Sequence, residues 1–323
     1  MPPYGGITIN ERKWRKMSAI TSGKKVKRKM TALERKEERA GYLFMLPNFI
    51  GIIIFVLFPT VCSLLLGFTK WNPMKGFSDM EFAGFENFAK LAGDDRFIAS
   101  LTNNIIYTII YVPVTICLAL LVAGLLNKYV FCKVPIRLMC FMPYISSIVS
   151  VAYVWMILYY PNGGPINSIL EAIGISNPPQ WLVSTDTSLI SVIIMSIWHD
   201  VGYYMIIFLA AMQGLSHEVY ESAAIDGAGK IKSFFRITVP MLGSNIVFVS
   251  ILATINSFKV FDQINILTQG GPGYSTNTLV YCIYYYAFRK QNVGYASAIA
   301  LVLFLIIFII SMIQMKVRKK VEI

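Results

Sequence analysis

The sequence has few charged residues and lacks the cysteine and histidine patterns of metal-binding or disulfide-rich proteins. Charged side chains make up 14% and hydrophobic ones 56% of its 323 residues, whereas soluble domains average about 25% charged. Its five cysteines form no CxxC pair and it has two histidines, so we predict neither a zinc site nor a disulfide framework. These deficits exclude disordered and disulfide-stapled chains and indicate a membrane protein.

Motifs of catalysis and nucleotide binding are also missing. The sequence contains no HExxH and no GxSxG segment, so we predict that the chain is not an enzyme. The segment Gly227–Lys230 superficially resembles a phosphate-binding loop. However, Ala224 and Ile231 stand where a Walker A motif requires Gly and Ser or Thr. The chain is therefore not expected to bind ATP by that route.

Six apolar runs are long enough to cross a bilayer, which takes about 20 residues of helix. The predicted spans are Leu43–Thr69, Thr102–Leu126, Ile136–Tyr159, Ser188–Gln213, Gly243–Thr268 and Val293–Met315. Strands of a membrane barrel would be shorter and would alternate in polarity. The predicted fold class is therefore an all-α membrane protein with six transmembrane helices.

The basic residues predict how the spans are oriented. The 29 Lys and Arg outnumber the 17 Asp and Glu, for a formal charge of +12. Twenty-two of the basic residues lie in the N-terminal arm, the loops after the second and fourth spans and the tail, against six in the alternate loops. Because Lys and Arg concentrate in cytoplasmic segments, we predict a cell-membrane protein with both termini in the cytoplasm.

A basic arm, residues 1–40, precedes the predicted membrane domain, residues 41–323. The arm holds 12 Lys and Arg, and such a segment binds nucleic acid, binds anionic lipid or fixes topology. Nucleic-acid-binding proteins are typically much less apolar than this chain. We interpret the arm as a solvated, topology-fixing segment that touches anionic headgroups. The first apolar run is too long for a signal peptide and reads as an uncleaved anchor.

The cytoplasmic loop after the fourth span, residues 214–240, is neither short nor simply polar. Its segment HEVYESAAI contains good helix formers, and Asp226-Gly227 then supplies a stop because Gly readily adopts the left-handed conformation. A second helical run, KIKSFFRITV, follows. Two short helices that meet at a turn are suited to insertion into a groove of a partner protein.

This loop resembles the EAA coupling loop of permease subunits in binding-protein-dependent ABC importers. The resemblance is carried by Glu221, Ser222, Ala223, Ala224, Asp226, Gly227, Ala228, Phe234 and Pro240. Ser222 departs from the family pattern, which usually has Ala there. The preceding FLAAMQGLSHEVY and the later Phe261-Asp262 with Leu267-Thr-Gln-Gly-Gly-Pro272 are similar to the carbohydrate branch of that family.

The resemblance implies a type I (MetI-like) ABC importer transmembrane fold and a division of labour between subunits. Two cytoplasmic ATPases would bind ATP and Mg²⁺, so no cofactor is expected in this chain. A second permease would complete a heterodimer, and an extracytoplasmic solute-binding protein would deliver the sugar; membrane lipid, but no nucleic acid, is a further expected partner. Glu221 would pair with a basic residue of the ATPase, Ala223 would allow close approach, and Gly227 would form the turn.

Polar residues inside the spans are the candidates for a translocation path, because charge at membrane depth is costly. Lys259 and Asp262 are three residues apart, close enough on one helix to pair. Amides and charged groups would bind sugar hydroxyls, but they would equally tie membrane helices together. The candidates are Asp200, Tyr203, Tyr204, Asn256, Lys259, Asp262 and Gln263.

The sequence leads us to expect a permease subunit that imports a sugar or oligosaccharide and is coupled to ATPases through the 217–240 loop. One alternative solute is a sugar phosphate or glycerophosphodiester, which Lys259 would favour. An alternative of another class is an ion-coupled secondary transporter in which Asp200 or Asp262 carries the proton. The external segment Asn72–Ile98, rich in acidic residues, is either a docking surface for the binding protein or a solvated loop.

Overall fold

A computed structural model describes residues 32–128 and 133–321 of the chain. Most of the predicted basic arm, residues 1–31, lies outside the described residues. The chain divides into two units, residues 1–59 and 60–323. In the first unit, helix α1 (Ala32–Ile52) continues into a π-helical turn, Ile53–Leu57, and helix α2 (Phe58–Leu66) begins there.

Within its described residues, the second unit consists of helices and their connections, with one short antiparallel hairpin. Its strands are β1 (Thr69–Lys70) and β2 (Glu81–Phe82), with Thr69 opposite Phe82. Its further helices are α3 (Glu86–Leu91), α4 (Asp95–Lys128), α5 (Lys133–Ile145), α6 (Ile148–Leu158), α7 (Pro165–Ala172), α8 (Ser188–Gln213), α9 (His217–Ile225), α10 (Lys230–Ser233), α11 (Val239–Met241), α12 (Gly243–Phe258), α13 (Asp262–Leu267), α14 (Leu279–Tyr284) and α15 (Val293–Val321). Two 3₁₀ turns, Pro73–Lys75 and Phe77–Asp79, and two π-helical turns, Phe234–Thr238 and Tyr285–Arg289, complete it.

The number of membrane spans agrees with the sequence prediction when one bent pair is counted as a span. Five helical stretches of the described residues are long and apolar enough to cross a membrane: Arg35–Leu66, Asp95–Asn127, Ser188–Gln213, Gly243–Leu267 and Val293–Arg318. The pair α5 and α6 is the sixth and is bent by 94°. An all-helical membrane fold with up to six spans is the result.

The predicted third span, Ile136–Tyr159, is not one continuous helix. Helix α5 ends at Ile145, and Ser147 adopts φ −57° and ψ 122° before α6 begins. Pro143 lies in the last turn of α5, where its missing N–H removes one helical hydrogen bond. The Ser146 hydroxyl donates to the carbonyl of Met142 at 3.0 Å, so a side chain satisfies a backbone group next to the bend.

The predicted fifth span is also interrupted, and this corrects the expected Lys259–Asp262 pair. Helix α12 ends at Phe258 and α13 starts at Asp262, after Phe261 has left the helical conformation with φ −141°. The two charged residues therefore do not lie one turn apart on a single helix, and no ion pair joins them. The carbonyl of Val260 in the interruption accepts the Thr278 hydroxyl at 3.1 Å.

Helix α8 lies at the centre of the main core of the second unit. Met195, Tyr204 and Phe208 of this helix are fully buried. At Gly202, α8 packs so closely on α5 that a Cβ added to this glycine would lie 1.9 Å from the carbonyl oxygen of Cys140. Only glycine lets the two backbones approach to this distance, so this residue sets the packing of α8 against α5.

We expect Gly202→Ala to force α5 away from α8 and to lower stability by about 1–3 kcal/mol, as overpacking of a filled interior does. Thermal unfolding of the purified protein in detergent measures the effect. Gly214→Ala is the matched control, because a Cβ at Gly214 would meet its nearest atom at an ordinary 3.5 Å. Equal stability of the two variants would contradict the close crossing.

Candidate functional site

The loop between α8 and α12 forms two short helices that meet at a turn, as the sequence predicts. Helix α9 is followed by Gly227, which has φ +73°, a conformation that favours glycine. The N–H groups of Gly227 and Ala228 donate to the carbonyls of Ala224 and Ala223 at 3.1 and 2.9 Å. These bonds satisfy the last carbonyls of α9 and fix the angle at which the chain enters α10.

Helix α9 has one face against the rest of the chain and one face open. Glu221, Ala224 and Ile225 are exposed, and 87% of Ile225 is accessible. Ala223, in contrast, is buried. Ala223 therefore packs closely against its own chain and not on the open face. The small residue on the open face, beside Glu221, is Ala224. The Ser222 hydroxyl donates to the Glu218 carbonyl at 2.9 Å, so serine is accommodated within the helix.

The second half of the loop is fastened to the membrane helices. Phe234 packs on Gly124 of α4, where an added Cβ would lie 2.4 Å from the phenylalanine ring. The hydroxyls of Tyr220 and Thr238 lie 2.9 Å apart and share a hydrogen bond. Pro240 follows in α11 and leads directly into α12. The loop is thus attached to α4 and α12, so a force on α9 reaches both helices.

A polar cavity of about 240 Å³ lies where the third and fifth spans are interrupted. It brings together five of the seven predicted path residues. Its lining comprises Tyr107, Tyr111, Tyr144, Ile148, Asp200, Asn256, Lys259, Val260, Phe261, Asp262 and Gln263. Of the polar residues in the cavity, Asn256, Lys259 and Asp262 are exposed.

Asp200 is held in place by two neighbouring side chains. The Tyr111 hydroxyl donates to one carboxylate oxygen at 2.5 Å, and Nδ1 of His199 lies 2.6 Å from the other. Hydrogen bonds to both oxygens orient the carboxylate toward the cavity and offset part of the cost of placing it inside a membrane span.

The two predicted tyrosines, Tyr203 and Tyr204, support the cavity and do not line it. Tyr204 is fully buried, and its hydroxyl accepts a hydrogen bond from the Asn256 side chain at 3.0 Å. The ring of Tyr203 stacks on Tyr144 at 4.5 Å between centroids. Both tyrosines therefore position residues that do face the cavity.

Sequence reasoning missed the tyrosines that do line the cavity. Tyr107 and Tyr111 are four residues apart on α4 and their rings stack at 5.3 Å, a spacing that places them on one helix face. Tyr144 comes from the last turn of α5, beside the bend. The spacing of the first two was readable in the sequence, but the bend that brings Tyr144 to them was not.

Comparison with known proteins identifies the family of the chain. The family described as "Binding-protein-dependent transport system inner membrane component" matches residues 88–323. The chain belongs to this family. It is thus an inner membrane component of a transport system that works with a binding protein, and several helices of it are long enough to span the membrane.

Individual relatives cover most of the chain. The probable ABC transporter permease protein YurN of Bacillus subtilis is 35% identical over 86% of this chain and 95% of the relative. The lactose transport system permease protein LacF of Rhizobium radiobacter is 33% identical over 88% and 95%. The multiple sugar-binding transport system permease protein MsmF of Streptococcus mutans is 32% identical over 88% and 96%.

Solved structures share the fold. A chain in the crystal structure of a bacterial ABC transporter involved in the import of the acidic polysaccharide alginate superimposes with a TM-score of 0.77. The match covers 88% of this chain and 96% of that one, at 22% identity. A second structure, of an alginate ABC transporter in complex with a pentasaccharide-bound periplasmic protein, matches with a TM-score of 0.75 at 22% identity. The predicted MetI-like importer fold is therefore confirmed.

Proposed function

We propose that this chain is a permease subunit of an ATP-driven importer that carries a sugar or oligosaccharide across the cell membrane. The names of its relatives support the solute class, since they include permeases for lactose, multiple sugars, diacetylchitobiose and arabinooligosaccharides. These matches run through both the coupling loop and the interrupted spans, because each covers most of the chain.

The observation that carries this proposal is the polar cavity. Asn256, Lys259 and Asp262 are exposed at the interruption of the fifth span, where contact with lipid would be costly. We therefore assign this surface to a water-filled path. Its amide and carboxylate groups bind sugar hydroxyls, and the partly exposed ring of Tyr144 offers an apolar surface for a pyranose ring.

The charge of the cavity favours a neutral sugar over a sugar phosphate. Two carboxylates, Asp200 and Asp262, face a single ammonium group, that of Lys259. The formal charge of the lining is thus negative, so a phosphate in the cavity would meet net electrostatic repulsion. Carboxylates and amides are, in contrast, good acceptors and donors for vicinal hydroxyls.

A single chain leaves the path incomplete, because the polar groups at the interruption are uncovered. We infer that a second, related permease covers this face, so that the path lies between the two subunits of a heterodimer. The distribution of Lys and Arg supports a cytoplasmic location for both termini and for the loop with α9. The extracytoplasmic side then receives the sugar from a solute-binding protein.

ATP and Mg²⁺ are bound by two separate ATPase subunits, one of which docks on the open face of α9. Glu221 supplies the anion, Ala224 and Ile225 the apolar contact, and the turn at Gly227 keeps α9 rigid. Closure of the ATPases on ATP then moves α9, and with it α4 and α12, so that the path opens alternately to either side.

Replacement of Glu221 by Ala tests the docking role. We expect the variant to lose ATPase co-purification and to lower ATP-dependent sugar uptake by about 30-fold or more, because removing one partner of an interfacial charge pair costs about 2–5 kcal/mol. Glu218→Ala is the matched control, an exposed glutamate on the same helix.

Two outcomes would contradict this assignment. Equal uptake by the Glu221→Ala and Glu218→Ala variants would remove Glu221 from the docking surface. Uptake that follows a proton gradient in vesicles without ATP would favour an ion-coupled secondary transporter in which Asp200 or Asp262 carries the proton.

Replacement of Asn256 by Ala tests the path. We expect uptake to fall by about 2- to 12-fold, the equivalent of one hydrogen bond of about 0.5–1.5 kcal/mol, and the loss to differ among a panel of radiolabelled mono- and oligosaccharides. Asn265→Ala, on α13 and outside the lining of the cavity, is the control. Unchanged uptake of every sugar would remove Asn256 from the path, and a lower thermal stability with that result would make it a structural residue.

A further inference from the structure

The hairpin segment, residues 67–91, joins the first candidate span to α4 and is a fixed structure. The N–H of Ala83 donates to the carbonyl of Phe68 at 2.8 Å. The buried side-chain amide of Asn87 donates to the carbonyls of Gly67 and Thr69 at 3.0 and 2.8 Å. These bonds close the segment on itself, so its surface side chains have defined positions.

The hairpin segment also rests on the start of α15. The N–H of Val293 donates to the carbonyl of Trp71 at 3.2 Å. Gly294 approaches so closely that a Cβ on it would lie 2.0 Å from the carbonyl oxygen of Thr69. One candidate span ends at Leu66 and another begins at Val293, so the segment lies at the level where these helices leave the membrane.

Four large apolar side chains of this segment are uncovered. Met74 is 78% exposed, Phe77 79%, Phe82 84% and Phe85 75%. We call these four residues, three phenylalanines and Met74, the aromatic patch. Such a concentration of exposed apolar groups is unfavourable in water and marks a surface that is covered by something else.

Five of the six charged side chains of the same segment, all except Glu81, form ion pairs with one another. Glu86 lies 2.5 Å from the Lys70 ammonium and 2.9 Å from that of Lys90, and Lys75 lies 3.6 Å from Asp79. Hydrogen bonds from Lys70 and Lys90 hold the pKa of Glu86 below its ordinary value. Glu86 and Asp79 belong to the acidic segment that we considered as a docking surface. Their carboxylates are thus paired with lysines of the same segment.

Asp94, the next acidic residue of that expected surface, is also engaged. Its carboxylate accepts the hydroxyls of Tyr286 and Tyr295 at 2.7 and 2.8 Å and the N–H of Arg96 at 2.9 Å. Three of the acidic groups on which a charged docking surface would depend therefore have partners within this chain, while the aromatic patch is open.

We propose that the aromatic patch is a lipid anchor, which inserts between the headgroups and the upper acyl chains of the phospholipids that border the transporter. Segments that lie in the membrane interface bury Trp, Phe and Leu side chains at this depth, and the segment that carries the patch begins directly after the first candidate span, which ends at Leu66. Trp71, which stacks on Phe77 at 5.3 Å between ring centroids, adds a further ring to the three phenylalanines of the patch. The anchor fixes the hairpin segment at the membrane surface. It thereby fixes the end of the first candidate span and the start of α4, which the segment joins.

Photo-crosslinking in the full transporter in its own cell membranes tests this assignment. Benzoylphenylalanine replaces Phe82 or Phe77 in separate variants, which keeps an aromatic side chain at each site, and uptake confirms that the protein is active. Benzoylphenylalanine at Ser78, an exposed polar residue of the same segment, is the matched control. After irradiation in the presence of the solute-binding protein, mass spectrometry of the chain identifies each adduct.

We expect phospholipid adducts at Phe82 and Phe77 that exceed those at Ser78 several-fold. An adduct to the solute-binding protein at Phe82 would overturn the proposal and make the aromatic patch a protein-docking surface. Phospholipid adducts no more frequent at Phe82 and Phe77 than at Ser78 would overturn it as well, since the patch would then face water.

Discussion

A backbone amide inside a bilayer has no water to bond to, and this constraint decides where the membrane helices of this chain are interrupted. An interruption is tolerated only where protein groups or a water-filled cavity take over the lost hydrogen bonds. The interruptions of the third and fifth spans meet this condition at one cavity. Tyr144 and Ile148 flank the interruption of the third span, and Lys259 and Val260 lie in that of the fifth. All four residues line the same cavity. The Thr278 hydroxyl bonds the freed carbonyl of Val260. The constraint thus produces the proposed path.

The loop between α8 and α12, the proposed coupling element, is held to the membrane helices on one side and open on the other. Its open face carries Glu221 and Ile225, whereas its other side is held by the hydrogen bond between Tyr220 and Thr238 and by the packing of Phe234 on Gly124. The turn at Gly227 fixes the angle between its two halves. In the proposed mechanism these contacts carry a movement of α9 to α4 and α12.

Much of the fold could be predicted from the sequence, because long apolar runs and a loop of two short helices are local patterns. The number of spans, the turn at Gly227 and the polar character of the fifth span are examples. The bend at Ser147 and the interruption at Lys259 could not, because they depend on groups far away in sequence, such as Thr278 for Val260. For the same reason the expected pairing of Lys259 with Asp262 was wrong, and Ala223 proved to be buried in its own chain.

In the proposed mechanism, the interruption of the fifth span faces a water-filled solute path. The most direct measurement is the rate at which a small, water-soluble thiol reagent modifies Lys259→Cys in the assembled transporter in a bilayer, relative to the chain with its native cysteines alone. A water-filled path predicts rapid modification that slows when the transported sugar is present. A rate equal to that of the native chain, with and without the sugar, would place this residue against protein or lipid and would exclude a water-filled path at the interruption.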